Sequence, residues 1–308
     1  MIKTQQLSKC YGSLAALVDL DLNIDQGRIF GFIGPNGAGK TTTMRILATL
    51  LEPTRGKAFI DGLDVTKHGR QVRRLVGYMP DFMGVYDDLK VFEYLEFFAA
   101  AFGIPGSKRK AVVEGVLELT DLKSKAAAAV DSLSRGMQQR LGVARVLIHD
   151  PKVLILDEPA SGLDPRARIE IRELLRELRK MGKTVMISSH ILSELEEICD
   201  NIGIIEHGRL VFSGTLDEII PRLGLKNKVR VSVAAGQPRA VELLSALPQV
   251  QDVQTLGDSI VVTFREGRQA DGIIAKTLVN GGLDVTALQP EKLKLDDAFL
   301  QLTKGIVH

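Results

Sequence analysis

Residues 34–41 read Gly-Pro-Asn-Gly-Ala-Gly-Lys-Thr, and this stretch constrains the chain more than any other. Its pattern, G-x-x-x-x-G-K-[ST], is that of a phosphate-binding loop. Glycines at 34, 37 and 39 let the backbone turn without Cβ clashes, so successive N–H groups can face anionic oxygens. Lys40 adds a point charge for β- and γ-phosphates, and Thr41 offers a hydroxyl to Mg²⁺. Before the loop, Arg28-Ile-Phe-Gly-Phe-Ile33 reads as a buried strand. After it, residues 42–51 read as a helix with Met44, Leu47 and Leu51 on one face. The N-terminus of such a helix adds partial positive charge under a phosphate. The candidate nucleotide-binding residues are therefore Gly34, Pro35, Asn36, Gly37, Ala38, Gly39, Lys40, Thr41 and Thr42.

The rest of the sequence narrows the class. A chain of 308 residues suggests about two domains. Its formal net charge of +2 gives no basic field that would attract nucleic acid. Its two cysteines, Cys10 and Cys199, are too few for a disulfide framework and fit a reducing compartment. No signal-peptide core is expected at Met1-Ile-Lys-Thr-Gln-Gln. No apolar run is long enough to span a membrane.

Further motifs lie downstream. Lys152-Val-Leu-Ile-Leu156 reads as a strand ending in Asp157-Glu158. In a doubly wound sheet, ligands bind beyond the carboxyl ends of the strands, where these carboxylates would emerge. Asp157 is placed to hold Mg²⁺ and Glu158 to polarise an attacking water. The next strand, residues 184–188, leads to Ser189-His190 on the same edge, which makes His190 a γ-phosphate contact. Ser134 reads as the N-cap of a helix over 137–149, a second anion-ready helix start or simply a capped helix. Asp164 and Pro165 open another helix, with Ile171, Leu174, Leu175 and Leu178 on one face. Tyr11 fits either an adenine-stacking ring or an ordinary strand tyrosine. Asp81, after the strand ending at Met79, fits either a Mg²⁺ ligand or an N-cap.

Residues 82–149 read as a helical subdomain inserted into an α/β domain. Within it, Val112, Val116 and Leu119 are expected on the buried side of one helix. Tyr94, Phe97, Phe98 and Phe102 form either core or a docking patch. Beyond a boundary near 221–228 the pattern becomes β-α-β-β-α-β, a ferredoxin-like order, and a last helix covers 295–304. The expected division is 1–224 and 225–308.

Taken together, residues 1–220 resemble the ATPase subunit of an ABC transporter, a P-loop NTPase. Gly34–Thr41 resembles its Walker A loop and Val153–Glu158 its Walker B strand with the catalytic glutamate. Leu133-Ser-Arg-Gly-Met-Gln resembles the signature, residues 161–164 the D-loop, and His190 the switch histidine. Tyr11 falls where the family places its adenine-stacking aromatic. The tail Leu295-Asp-Asp-Ala-Phe-Leu-Gln-Leu-Thr303 is similar to that of ABC-2-type export ATPases. The resemblance implies ATP and Mg²⁺ as cofactors, with Lys40, Glu158 and His190 catalytic and Thr41, Asp157 and Asp81 toward the metal. It also implies a homodimer in which Ser134 and Gly136 of one copy cap the γ-phosphate of the other. A separately encoded membrane permease is the implied partner, with the ATPase on the cytoplasmic face of the cell membrane and no nucleic acid bound.

Two positions depart from the family pattern. Arg135 stands at a signature glycine position, and Asp81 stands where the family has glutamine. The rival reading is a soluble ABC ATPase acting on nucleic acid or ribosomes. Against it, no sustained heptads separate Thr41 from Leu133, and the chain carries one ATPase half.

Overall fold

The chain begins with strands β1 (Ile2–Tyr11), β2 (Leu14–Leu20), β3 (Asn23–Ile24) and β4 (Ile29–Ile33), then helix α1 (Lys40–Leu47). Strands β5 (Arg55–Ile60) and β6 (Leu63–Asp64), helix α2 (Gly69–Leu75) and strand β7 (Val76–Met79) follow. Next come helices α3 (Val91–Ala101), α4 (Gly106–Leu119) and α5 (Arg135–Leu147), strand β8 (Val153–Leu156), helix α6 (Pro165–Lys180) and strands β9 (Thr184–Ser189), β10 (Asn201–Glu206) and β11 (Arg209–Gly214). The last elements are β12 (Lys228–Val233), α7 (Gln237–Ser245), β13 (Val250–Leu256), β14 (Ser259–Phe264), α8 (Ile273–Asn280) and β15 (Val285–Glu291). This computed structural model describes residues 1–82, 84, 88–189, 195–215, 218–219, 228–265 and 272–291. His190, most of the expected boundary segment and the expected helix over 295–304 lie outside the described residues. Contacts divide the chain into units 1–216 and 217–308.

In the first unit a sheet runs in the order β11-β10-β4-β9-β8-β7, parallel except for the β10–β11 hairpin. Every residue of β4, β8 and β9 is buried, as expected of strands covered on both faces. Because β4, β7, β8 and β9 are parallel, the phosphate loop, Asp81, Asp157 and Ser189 all leave along one edge. A second, antiparallel sheet runs β2-β1-β5-β6, with β3 on β1. Leu7, Leu17 and Ile60 from this sheet share a core with Phe30, Phe32 and Met44.

Helix α1 is shorter than its periodicity suggests. It starts at Lys40, directly after Gly39 (φ 110°), and stops at Leu47 in a left-handed cap at Thr49 (φ 63°). Thr49 N–H donates to Ile46 O at 3.0 Å and Leu50 N–H to Arg45 O at 2.8 Å, which satisfies the last carbonyls. Leu51 still packs on the core, but from the loop. That contact mimics one more helical turn in the sequence.

The inserted segment contains α3, α4 and α5. On α4 the buried residues are Val113, Val116 and Leu117, not the expected Val112, Val116 and Leu119. The stripe continues to buried Thr120, whose hydroxyl donates to Val116 O at 2.7 Å. A polar residue thus holds a core position that the apolar pattern could not mark. The alanine-rich stretch forms single 3-10 turns at Lys123–Lys125 and Val130–Ser132. The aromatic cluster divides: Tyr94 is fully buried, whereas Phe97 and Phe102 are about half exposed. Phe102 stacks flat on His149 at 3.9 Å. Buried Arg140 on α5 joins Asp121 at 2.9 Å to Glu170 of α6 at 3.6 Å.

The β10–β11 turn closes on the phosphate loop. His207 and Gly208 both have positive φ, 47° and 76°. Gly208 N–H donates to Ala38 O at 3.0 Å, and Gly208 O accepts from Val18 N–H at 2.9 Å. A Cβ at Gly208 would lie 2.7 Å from Ala16 O, so the close approach requires glycine.

In the second unit the sheet order is β13-β14-β12-β15, antiparallel throughout. With α7 and α8 supplying Leu244 and Leu278 to a core of Val231, Ile260, Val262 and Phe264, this is the ferredoxin-like order.

Candidate functional site

The phosphate loop is pressed between strands on both sides. A Cβ at Gly34 would lie 2.9 Å from Ile205 Cγ2, and one at Gly39 would lie 2.7 Å from Ala16 O. Gly37 and Gly39 have φ of 81° and 110°, which side-chain-bearing residues rarely adopt. Lys40 folds back into the loop and is buried. Its Nζ donates to Gly34 O at 2.6 Å and to Pro35 O at 3.2 Å. Burial pushes its ammonium below the ordinary lysine range, while Glu158 and then Asp157 pull it back up.

Asp157 emerges at the end of β8 and is nearly fully buried. One carboxylate oxygen accepts from Thr41 Oγ1 at 2.7 Å, the other from Ser188 Oγ at 2.6 Å. The Ser188 hydroxyl in turn accepts from Glu158 N–H at 2.8 Å. Asp157 N–H donates to Met79 O at 2.8 Å, tying the carboxylate to β7. Glu158 has φ 51°, a left-handed conformation for a residue with a side chain. Its carbonyl accepts from Ser161 N–H at 3.0 Å, so the strained residue begins a turn.

These groups converge. One open pocket is lined by residues 36–42 together with Asp81, Asp157 and Glu158. Asp81 is exposed, and the next described helix, α3, has Lys90 at its N-cap. Ser134, Gly136 and Tyr11 do not line this pocket. Ser134 and Gly136 sit at the start of α5, where Ser134 Oγ accepts a long 3.4 Å bond from Met137 N–H. A Cβ at Gly136 would lie 2.8 Å from Ala167 Cβ, so α5 begins against the first turn of α6. Asp164 caps α6, accepting from Arg166 N–H and Ala167 N–H at 3.0 Å each. Tyr11 ends β1 half exposed, with Lys9 Nζ 5.3 Å from its ring centre. Ser188 is the site residue the motifs did not mark. Its only signal was its place at the carboxyl end of β9, beside Ser189. Among the described residues no cluster of three or more His, Cys, Asp or Glu forms a metal cage, and no helix is long and apolar enough to cross a membrane.

Comparison with known proteins agrees with this geometry. The ABC transporter family model matches residues 17–161. The chain is 38% identical to the bacitracin transport ATP-binding protein BcrA of Bacillus licheniformis, over 99% of this chain and 98% of the relative. It is 34% identical to the Nod factor export ATP-binding protein I of Ralstonia nicotianae, over 98% and 94%. Among solved structures, an ATP-binding subunit of an ABC transporter aligns with TM-score 0.66 and 31% identity, covering 73% of this chain and 94% of that one. A dimeric ATP-binding cassette in a post-hydrolysis state with ADP and Pi aligns with TM-score 0.64 and 26% identity, covering 70% and 99%.

The fold and site are those of a P-loop ATPase, and the chain belongs to the ABC transporter ATP-binding family. It binds and hydrolyses ATP, as the motor subunit of a transporter.

The Ser188 bridge generates a test. Ser188→Ala removes one hydroxyl that holds both Asp157 and the backbone of Glu158. We expect kcat for ATP to fall about ten-fold or more, as for other residues that orient a reacting group, with KM nearly unchanged. Steady-state ATPase kinetics check this; an unchanged kcat contradicts the orienting role.

Proposed function

We propose that the chain is the ATPase of an ABC-2-type exporter, acting as a homodimer on a separately encoded membrane permease at the cytoplasmic face of the cell membrane. The observation that carries the dimer is the incomplete pocket: it holds the phosphate loop, Asp157 and Glu158, while Ser134 and Gly136 lie elsewhere on the same chain. Symmetric pairing lets each copy supply the residues the other lacks. The near full-length relatives named for transport and export support the exporter reading over action on nucleic acid or ribosomes.

Each residue then has a role. Tyr11 stacks on the adenine. The N–H groups of residues 36–42 and the Lys40 ammonium hold the phosphates, Pro35 having no N–H to offer, and Lys40 leaves its two loop carbonyls for them. Glu158 accepts a proton from the attacking water, and His190 contacts the γ-phosphate. The hydroxyl of Thr41 and the carboxylates of Asp157 and Asp81 are hard oxygen donors that fit Mg²⁺, whose bound form would neutralise phosphate charge. Two protein carboxylates and a hydroxyl suit an ion whose remaining ligands are phosphate and water.

Glu158→Gln keeps ATP binding and lowers turnover about 10²-fold or more, because the amide cannot take the proton. It also traps an ATP-bound dimer, visible by size-exclusion chromatography. Lys40→Ala weakens nucleotide binding itself. Turnover within a few-fold of wild type for the Glu158 variant would remove it from the catalytic role.

For the permease contact we assign the inserted helical segment, where Phe97 is 52% exposed and its ring sits edge-on to Phe98 at 5.2 Å. Phe97→Asp leaves basal ATPase intact and abolishes its stimulation by the reconstituted permease. Full stimulation in that variant would move the contact elsewhere.

Asp81 adds a negative charge to a site that already holds Asp157 and Glu158. The site therefore holds the cation more tightly than one with glutamine would. Replacing this anionic donor with a neutral one weakens the hold on the cation, so Asp81→Gln shifts the Mg²⁺ concentration for half-maximal ATPase upward while hydrolysis persists. Superimposable Mg²⁺ titrations for wild type and variant would leave Asp81 without a metal role.

A further inference from the structure

Arg135 stands at a signature position where the resemblance leads one to expect glycine, and its guanidinium does not point idly outward. A Cβ built on Gly162 would overlap the guanidinium of Arg135. The arginine therefore lies directly on the backbone of the 161–164 turn, and only glycine at 162 leaves room for it. Gly162 also has φ +67°. This turn is the direct continuation of Glu158: Ser161 N–H bonds to Glu158 O at 3.0 Å, and Asp164 closes the turn by capping α6. Glu158 itself holds the strained φ of 51°. One residue after Arg135, Gly136 is pressed against Ala167 in the first turn of α6. The start of α5 thus bears on the turn that follows Glu158 and on the helix into which that turn runs.

We propose that Arg135 is a positioning residue for Glu158 of its own chain, and that it couples the two ATP sites of the dimer. This rests on the composite-site reading above. In that reading the start of α5 docks on the partner's ATP. An arginine fixed between that docking point and the turn after Glu158 conveys docking at one site to the catalytic glutamate of the other. A glycine at 135 has no side chain to do so. The planar guanidinium suits packing against a glycine backbone.

Mixed dimers test it, assembled from differently tagged full-length chains and purified through both tags. In the first, one chain carries Arg135→Ala and the other Glu158→Gln, so the only active glutamate belongs to the chain lacking Arg135. In the second, one chain carries both substitutions and the other is wild type, so the active glutamate keeps its own Arg135 but faces a signature without it. We expect the first dimer to lose about five-fold or more in kcat, the lower end of site-to-site couplings, with KM for ATP unchanged, and the second to keep its rate. Arg135 is exposed, so its truncation opens no cavity.

The reverse pattern would place Arg135 on the partner's nucleotide and overturn the proposal. Equal losses in both dimers would mean a damaged signature and overturn it too, as would no loss in either. Ser134→Ala in the second arrangement is the control for the underlying reading. If it leaves the partner's site untouched, the composite site fails, whereas a selective loss in the first dimer still reads the contact between Arg135 and the Glu158 turn.

Discussion

Both oxygens of the Asp157 carboxylate are occupied by hydroxyl groups, one from the first turn of α1 and one from the end of β9. Much of the site hangs on that carboxylate. It links the helix that follows the phosphate loop to a strand that is that loop's neighbour in the sheet, from a strand one further away. A buried carboxylate is costly unless its acceptor capacity is filled. Here the nearest donors are the groups that must be fixed for phosphate chemistry. Satisfying the charge and aligning the site are therefore the same event. The second hydroxyl, Ser188, carries the alignment on to the backbone of Glu158.

This arrangement explains why a residue with a side chain tolerates a left-handed backbone at Glu158. The N–H is held by Ser188, the carbonyl by Ser161, and the preceding N–H by Met79. The strain is over-determined by its neighbours, which keeps Glu158 in the lining of the pocket. Lys40 shows the complementary device. Its ammonium is held by two loop carbonyls, so the cation has partners in a buried place.

Much of this was legible in the sequence because it rests on local pattern. The glycine loop, the apolar β8 ending in two carboxylates and the capped start of α6 are each written in consecutive residues. What was not legible depends on contacts across the fold. The end of α1 was misread because Leu51 packs on the core from a loop, and Thr49 takes a left-handed cap that threonine does not advertise. The buried face of α4 was shifted because Thr120 occupies a core position by bonding its own helix. Ser188 escaped notice because a serine in a buried strand has no motif. Its role exists only where β8 and β9 run side by side.

The turn at His207-Gly208 bolts the phosphate loop to β2 through a pair of backbone hydrogen bonds, one to Ala38 and one from Val18. Strand β2 is the hairpin partner of the strand that ends in Tyr11, with Tyr11 facing Leu14 across the ladder. The backbone that carries the proposed base-stacking ring and the loop proposed for the phosphates are thus tied together by main-chain hydrogen bonds, and within that span only the Tyr11 side chain can swing. On the role proposed for Tyr11, the cleft is a caliper with one jaw fixed by main chain and one hinged at the Tyr11 Cβ, so it gauges the reach from base to phosphate with play at the base end alone.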